Sequence, residues 1–315
     1  GLEDVRGHAG PVRALEIAAA GAHHLLLTGP PGTGKSMLAR RLPGILPPLA
    51  ASEELEVLRI RSITGLGRGA ARGVRPFRAP HHSISAAGLV GGGAVPTPGE
   101  ITLAHRGVLF LDELSEFSRQ ALEAMRQPLE DGFLTVVRGQ RATTYPAEVQ
   151  LVAARNPCPC GHLGTPRCRC GEADLEHYAR RVSGPLLDRI DLLVDVNRPT
   201  EDELHAPPVS DSPTTREAVC AARERQRERA ADADVPVWNS RLPARVLHAL
   251  PADPAAAEVL RRAYRNGLLS PRGRDRVLRV ARTIADLAGR ERTEADDVLE
   301  ALALRGAETR PAVAA

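Results

Sequence analysis

The chain has 315 residues and a formal net charge of +3, with 43% hydrophobic and 26% charged residues. This composition is ordinary for a globular protein and excludes a disordered or fibrous chain. Aromatic residues make up only 3%, which argues against a large stacking surface for single-stranded nucleic acid. No apolar run approaches the ~20 residues that cross a bilayer, so we expect a cytoplasmic protein with no membrane partner.

Strand-like runs alternate with helical stretches in the first part of the chain, which predicts an α/β fold with a parallel sheet. Helices are expected over residues 12–20, 36–42 (stopped by the prolines from Pro43 onward) and 119–130. Strands are expected over residues 24–28, 107–111 and 151–154, and a hairpin over residues 133–149 with its tip at 138–141.

After a proline-rich stretch the strand pattern ends, which predicts a linker and then a helical domain. Helices are expected over residues 214–230, 255–266, 271–288 and 293–304, the last opened by Thr293 with Asp296 in the capping-box position. The predicted organisation is an α/β core at 1–198 with inserted loops at 65–99 and 132–148 and a cysteine-rich loop at 157–171, a linker at 199–213, and a helical lid domain at 214–315.

The segment GPPGTGKS at residues 29–36 fits the phosphate-binding loop pattern G-x-x-x-x-G-K-[ST] between a predicted strand and helix. Backbone N–H groups of such a loop surround a phosphate, and the following helix adds a favourable partial charge. Lys35, the single lysine among 42 basic residues, is expected to contact the β- and γ-phosphates, and Ser36 to ligate Mg²⁺. The predicted nucleotide-binding residues are Gly29, Pro30, Pro31, Gly32, Thr33, Gly34, Lys35, Ser36 and Met37.

Acidic residues follow the apolar strand at 107–111, as a nucleotide-hydrolysing site requires. Asp112 is expected to hold Mg²⁺, and Glu113 to orient or deprotonate the attacking water. Asn156 follows the strand at 151–154 and would lie beside them in a parallel sheet, where its amide can position that water. An asparagine after a strand is also a common turn former.

Four of the five cysteines fall within thirteen residues, as two C-x-C pairs formed by Cys158, Cys160, Cys168 and Cys170. Four thiolates can hold one tetrahedral Zn²⁺, and such a closed site is structural because it leaves no open position. From spacing alone, a disulfide or free thiols remain the alternative. His162 is a possible substitute ligand, whereas Cys220 stands apart and is expected to be a bystander.

These motifs resemble those of AAA+ ATPases, and more narrowly the magnesium-chelatase-like branch that contains the ComM and YifB proteins. The resemblance extends over residues 29–36, 75–83, 98–101, 156–161, 184–191 and 279–287. It implies an AAA+ P-loop NTPase domain with a parallel sheet, a small all-α lid domain and a hexameric ring. An additional N-terminal Lon-like domain of the family is expected to be absent, leaving the motor portion.

The resemblance also assigns roles to particular residues. Arg189 matches the arginine finger that completes the ATP site of a neighbouring subunit. Arg272 matches the second sensor arginine, also expected to act across the interface. The matching cysteine pairs of the family favour zinc at the four cysteines.

DNA contacts are expected from arginines on two loops that would point into the pore of a ring, where six copies multiply a modest charge. The alternative is that these loops are simply solvated. The candidates are Arg68, Arg72, Arg75, Arg78, Arg138 and Arg141, with His81 and His82 as further phosphate contacts.

The leading hypothesis is an ATP-hydrolysing ring motor for branched or single-stranded DNA, with helicase-like branch migration as in recombination or natural transformation. One alternative is the motor subunit of a magnesium chelatase, against which the cysteine cluster argues. Another is a nucleotide-dependent scaffold without translocation.

Overall fold

The computed structural model describes residues 1–65, 72–92, 97–138, 141–233 and 235–305. The strands are β1 (Leu25–Thr28), β2 (Phe77–Arg78), β3 (Gly91–Gly92), β4 (Thr97–Pro98), β5 (Val108–Leu111), β6 (Phe133–Arg138), β7 (Arg141–Pro146), β8 (Gln150–Arg155) and β9 (Leu192–Asp195). The helices of the α/β part are α1 (Ala9–Gly21), α2 (Lys35–Ala39), α3 (Leu42–Ile45), α4 (Ala51–Ile63), α5 (Ala86–Val90), α6 (Glu100–Leu103), α7 (Arg119–Ala124), α8 (Arg126–Asp131), α9 (Glu172–Arg181) and α10 (Gly184–Leu187). The later helices are α11 (Glu201–His205), α12 (Ser212–Ala233), α13 (Ala244–Leu247), α14 (Pro254–Arg265), α15 (Pro271–Leu287) and α16 (Ala295–Ala303).

The central sheet has five strands in the order β2-β5-β8-β1-β9. Every neighbouring pair in it is parallel, with Leu25 opposite Val152 and Leu192, and Phe110 opposite Val152. All its strands therefore end at one edge, called here the carboxyl edge, and begin at the opposite amino edge. Strands β6 and β7 form a separate antiparallel hairpin, as the sequence predicted.

The core lies on both faces of this sheet because successive residues of a strand point to opposite sides. Leu25 and Leu27 belong to a cluster with α1, α2 and the later helices, whereas Leu26 belongs to a second cluster with α5 to α8. Helices α12 and α15 both pack against α1, so the later helices cover the α1 face of the sheet. Of the residues described, no helix combines the length and apolar character needed to cross a membrane.

A buried polar network joins these later helices to the sheet. His23, just before β1, contacts Asp191 through Nδ1 at 2.9 Å and Thr283 of α15 through Nε2 at 2.8 Å. Asn239 donates to Thr283 Oγ1 at 3.0 Å and to Asp286 at 2.8 Å. Because buried polar groups are costly when unpaired, this network restricts how α15 can sit against the amino edge.

Several predicted element boundaries were wrong, each for a local physical reason. Pro43 does not stop the helix after the phosphate loop but lies in the first turn of α3, where the missing N–H costs nothing. The helix expected over 119–130 is split at Met125, because Pro128 cannot donate to the carbonyl of Ala124. The last helix is capped one residue later than expected: the Glu294 N–H donates to Asp297 at 2.8 Å.

Two segments expected to be loops contain regular elements. Residues 65–99 were expected to form an inserted loop or hairpin, yet they contribute the edge strand β2 to the central sheet, as well as α5 and the β3–β4 pair. Residues 199–213 contain α11, opened by Thr200, whose hydroxyl accepts from the Glu203 N–H at 3.3 Å. β2 has only two residues, too few for an alternating pattern to be visible in the sequence.

Candidate functional site

The predicted phosphate loop joins the carboxyl end of β1 to the first residue of α2. Gly32 and Gly34 have φ angles of +76° and +87°, which glycine adopts without strain. Gly29 is required for a different reason, because a Cβ there would lie 2.1 Å from the Val196 carbonyl oxygen. His8 and Met37 lie close to Gly34: a Cβ on that glycine would be 3.5 Å from His8 Nε2 and 3.1 Å from Met37 Cε.

Lys35 is buried within this loop. Its ammonium donates to the carbonyl oxygens of Gly29 at 2.6 Å and Pro30 at 2.7 Å, and to Asn156 Oδ1 at 3.3 Å. Burial lowers the pKa of Lys35, and the nearby Asp112 carboxylate opposes that shift. The ammonium is thus held at the centre of the loop and beside the end of β8.

The predicted magnesium ligands and the predicted base meet at the same edge. Ser36 donates its hydroxyl to Asp112 Oδ2 at 2.5 Å. Glu113 has a φ of +52°, an uncommon conformation for a residue with a Cβ and one that tends to occur at functional sites. Its carboxylate is exposed and lies 3.1 Å from His82 Nδ1.

Asn156 lies beside these groups, as the parallel sheet predicted. Its side chain accepts from Lys35, and its carbonyl oxygen accepts from the Tyr178 hydroxyl at 3.1 Å. Tyr178 belongs to α9, so that helix helps to fix the end of β8. The structure therefore brings Lys35, Ser36, Asp112, Glu113 and Asn156 together at the carboxyl edge.

The four clustered cysteines also converge. All four Sγ atoms lie within 4.8 Å of one another, with distances of 3.4 Å from Cys158 to Cys160 and 3.7 Å from Cys160 to Cys168. A tetrahedral ion with Zn–S bonds of ~2.3 Å needs sulfur atoms about 3.8 Å apart, so the donor set fits. Backbone N–H groups of Arg169 and His162 lower the pKa of the Cys160 thiol to about 6.

His162, the possible substitute ligand, and Cys220, the expected bystander, are both separate from this group. In the described ranges the group consists of the four cysteines alone, and His162 contributes only its backbone. Cys220 lies on α12, away from the cluster.

Arg189 and Arg272 lie at the opposite, amino edge of the sheet. Arg189 follows α10, just before β9, and pairs with Glu130 while donating to the Pro185 carbonyl at 2.7 Å. Arg272, in the first turn of α15, is 81% exposed and lies 3.9 Å from Asp188. Both arginines line a cavity of about 580 Å³, which also includes Arg276. They therefore share a site with each other but not with Lys35.

The predicted DNA-contacting arginines differ in burial and in their partners. Arg75 is buried: its guanidinium donates to the carbonyls of Pro47 at 2.6 Å and Arg106 at 2.7 Å and pairs with Glu53 at 3.0 Å. Arg78 makes two bonds to Glu100, at 2.6 and 2.7 Å. The prediction that Arg75 lines a pore was wrong, because its guanidinium is buried and pairs within the fold. Arg78 is paired with the Glu100 carboxylate.

The remaining candidates keep their status as predictions. Arg72 is exposed. Arg138 and Arg141 face each other across the end of the β6–β7 hairpin, although their side chains lie outside the described part. Arg68 lies outside the described residues altogether. His81 stacks on His82 with ring centroids 4.1 Å apart.

Sequence reasoning missed three contacts that adjoin the predicted groups. Glu130 pairs with Arg189, His82 contacts Glu113, and Gly161 of the cysteine loop packs on Pro31. His81 and His82 were expected as candidate phosphate contacts, and the contact of His82 with Glu113 was not anticipated. Nothing in the local sequence indicates the other two, since each joins segments distant along the chain.

A parallel α/β sheet with a phosphate loop at its carboxyl edge, followed by helices, defines an AAA+ protein with an all-α lid; the predicted fold class is confirmed. Residues 1–204 match the family model "Magnesium chelatase, subunit ChlI", and residues 210–305 match the model of its C-terminal part. The chain therefore belongs to the magnesium chelatase ChlI family, and its resemblance to ComM and YifB is confirmed.

Individual relatives cover almost the whole chain. An uncharacterized protein of Mycobacterium tuberculosis is 47% identical over an alignment that covers 96% of this chain and 61% of the relative. Competence protein ComM of Haemophilus influenzae is 44% identical, over 96% of this chain and 60% of its own length. Protein YifB of Escherichia coli is 45% identical, over 91% and 56% respectively. The chain thus spans about three fifths of these relatives.

Proposed function

We propose that the chain is the ATP-hydrolysing motor of a ring-forming AAA+ protein, with each ATP bound between two subunits. The observation that carries this proposal is the division of the predicted groups between two edges of one sheet. Lys35 lies at the carboxyl edge, whereas Arg189 and Arg272 lie at the amino edge. The four residues of β1 alone separate these edges by roughly 13 Å. A second subunit is therefore needed to bring both sets to one phosphate.

Within one subunit, the residues of the carboxyl edge have complementary chemistry. Bound MgATP supplies the phosphoryl group to be transferred. Residues 29–36 bind the phosphates through backbone N–H groups and the Lys35 ammonium, and Ser36 with Asp112 provides oxygen ligands for Mg²⁺. Glu113 accepts a proton from water, and Asn156 orients that water.

The neighbouring subunit contributes cations. Arg189 is held by Glu130 at the surface of the amino edge, and Arg272 is highly exposed in the first turn of α15. Positive charge at a helix N-terminus is unfavourable, and a phosphate from the adjoining subunit offsets it. A closed ring, with a hexamer as the expected size, gives every site both partners.

The four cysteines are proposed to hold one structural Zn²⁺. The support is the mutual approach of four sulfur atoms, which offers the full ligand set of a tetrahedral structural zinc site. One zinc per chain is the expected metal content, and Cys158→Ser with Cys168→Ser should reduce it. Full metal retention in that double variant would contradict the assignment.

DNA, branched or single-stranded, is the proposed substrate of the motor, with helicase-like remodelling as its action. The support is the similarity to a competence protein and the arginine pair Arg138 and Arg141 at the hairpin end. The organisation that serves it is an α/β core at 1–198, a linker at 199–213 and a helical lid from 214 onward.

A second candidate is the motor of a magnesium chelatase, favoured by the family models that cover both parts of the chain. The two functions differ in what stimulates ATP turnover. Forked DNA should stimulate the first, and a porphyrin-binding partner subunit the second. ATP binding with negligible turnover under both conditions would support a nucleotide-dependent scaffold and contradict both motors.

The decisive experiment measures ATP turnover with and without forked DNA in the wild type and in Glu113→Gln. We expect the variant to bind ATP normally but to lose about 10²- to 10⁴-fold in turnover, the typical contribution of a general base. Glu116→Gln is the matched control, because Glu116 is a nearby exposed carboxylate paired with Arg181 at 2.8 Å. Wild-type turnover in Glu113→Gln would overturn the catalytic assignment.

A further inference from the structure

The cysteine loop and the phosphate loop touch each other. Gly161, directly after Cys160, is buried and has a φ of +79°. A Cβ on Gly161 would lie 2.5 Å from Pro31 Cδ and 2.9 Å from Pro31 Cγ, closer than real Cβ contacts allow. Only a glycine therefore lets the cysteine loop pack on the otherwise exposed tip of the phosphate loop.

The same short segment contacts the phosphate loop at its other end. Asn156 accepts from the Lys35 ammonium at 3.3 Å, five residues before the Gly161 contact. Between these two contacts stand Cys158 and Cys160, and the Gly161 N–H donates to the Cys158 carbonyl at 3.0 Å. Residues 156–161 thus include the first part of the cysteine loop and also contact the phosphate loop at both of their ends.

A metal ion bound to the four sulfur atoms would tie residues 156–161 to the second half of the cysteine loop. Cys168 and Cys170 lie in the second half of the loop, and Cys168 Sγ is 4.0 Å from Cys158 Sγ and 3.7 Å from Cys160 Sγ. Bonds from one ion to both halves would hold Cys158 and Cys160 in place. The Gly161 contact on Pro31 and the Asn156 contact on Lys35 would then be held with them.

We infer that the four-cysteine site is a clamp on the phosphate loop, so that metal binding there and nucleotide binding at residues 29–36 strengthen each other. Gly161 is the positioning residue that transmits the effect through Pro31. This inference rests on the proposed function, in which the cysteines hold zinc and the loop holds ATP. Because coupling between two binding sites is reciprocal, each ligand raises the affinity for the other by the same factor.

The coupling is measured from both sides with the whole chain. A fluorescent ATP analogue reports nucleotide affinity in zinc-loaded and chelator-treated protein, and a chromophoric chelator reports zinc affinity with and without ATP. We expect about a 10-fold change in each direction, within the usual range for coupled sites. Two ligands that bind but do not affect each other would overturn the clamp. Failure to bind zinc or nucleotide at all would instead contradict the proposed function.

A pair of glycine variants tests the contact while the metal stays bound. Gly161→Ala and Gly164→Ala both place a Cβ at a positive φ, +79° and +81°, in the same loop. A Cβ on Gly164 meets nothing within 4 Å, so only the first variant collides with Pro31. With equal zinc content confirmed in both, Gly161→Ala should weaken nucleotide binding about 10-fold and Gly164→Ala less than about 2-fold.

The double variant completes the cycle. Removing the proline ring in Pro31→Ala gives a Cβ at Gly161 room, so Gly161→Ala should cost less than about 2-fold in nucleotide affinity in that background. An equal cost of Gly161→Ala with and without Pro31 would show that the effect does not pass through this contact. Equal effects of Gly161→Ala and Gly164→Ala in the parent chain would also contradict the inference.

Discussion

The two edges of the central sheet differ in how their polar groups are arranged. At the carboxyl edge, Ser36 donates to Asp112 and Lys35 donates to Asn156, so the phosphate loop contacts the residues that directly follow strands β5 and β8. At the amino edge, Arg189 and Arg272 come from segments far apart along the chain and face a cavity of about 580 Å³. The polar groups of the carboxyl edge hydrogen-bond to one another, whereas the arginines of the amino edge line a cavity.

This difference explains why the chain would need a second copy to complete the proposed chemistry. The carboxyl edge offers binding groups but no arginine among those predicted to act there. The amino edge offers two arginines but no phosphate loop. The predictions that follow test this division, beginning with the largest expected effect.

The strongest test inactivates the two edges in separate variants and then mixes the two variant proteins. Lys35→Arg should abolish ATP turnover with the fold intact, because a planar guanidinium cannot replace an ammonium that donates to two loop carbonyls. In the arginine-finger role proposed for it, Arg189→Ala should lower turnover by about 10³-fold or more, with nucleotide binding preserved. Steady-state ATP hydrolysis measures both.

Mixed assemblies then distinguish action across an interface from action within a subunit. In an equal mixture of the two inactive variants, about a quarter of the interfaces join an intact carboxyl edge to an intact amino edge. Turnover should therefore partly recover. A mixture as inactive as its components, with assembly verified by light scattering, would refute the division between edges.

A second prediction separates structural from exposed arginines. Arg75→Ala should destabilise the fold by about 3 kcal/mol, because it removes the donor to the buried Pro47 carbonyl and the closest ion pair of Glu53. Arg78→Ala should cost less than about 1 kcal/mol, since its pair with Glu100 is partly exposed. Urea unfolding provides the comparison, with the exposed Arg72→Ala as the control. If Arg75→Ala lowered the free energy of unfolding less than Arg78→Ala does, the structural role assigned to Arg75 would be contradicted.

The third prediction concerns pH and the residue that precedes β1. Burial lowers the pKa of His24 to about 4, and its Nδ1 accepts from the Leu151 N–H at 3.0 Å. The folded-state pKa lies below the unfolded value of about 6.5, so this stabilisation is complete above pH 6.5 and is lost as pH falls toward 4.

The expected loss of unfolding free energy from His24 alone is about 2 kcal/mol at pH 5 relative to neutral pH. Urea titrations at the two pH values measure it. His24→Asn keeps an acceptor for the Leu151 N–H but cannot titrate, so its stability should fall less on acidification. An identical fall in both proteins would assign the pH dependence to other groups.

The parts of the site that could be predicted from the sequence are mainly those formed by residues close together along the chain. The phosphate loop is a local device: a strand, glycines at fixed spacing, and a helix starting at Lys35. The placement of Asn156 beside Asp112 and Glu113 also followed from sequence, because the parallel strands β5 and β8 end at the same edge. The α7–α8 break and the role of Pro43 depend on exact hydrogen-bond positions and were not anticipated.

By itself, the sequence determined the fold class, the loop at residues 29–36, the strand ending in Asp112 and Glu113, and the grouping of four cysteines. Only the tertiary structure decided that Arg75 is buried, that Glu130 pairs with Arg189, and that Gly161 rests on Pro31. The physical reason is the range of the interactions. Backbone propensity and motif spacing act over a few residues, whereas burial and pairing depend on segments as far apart in sequence as Pro31 and Gly161, which meet only when the sheet is assembled.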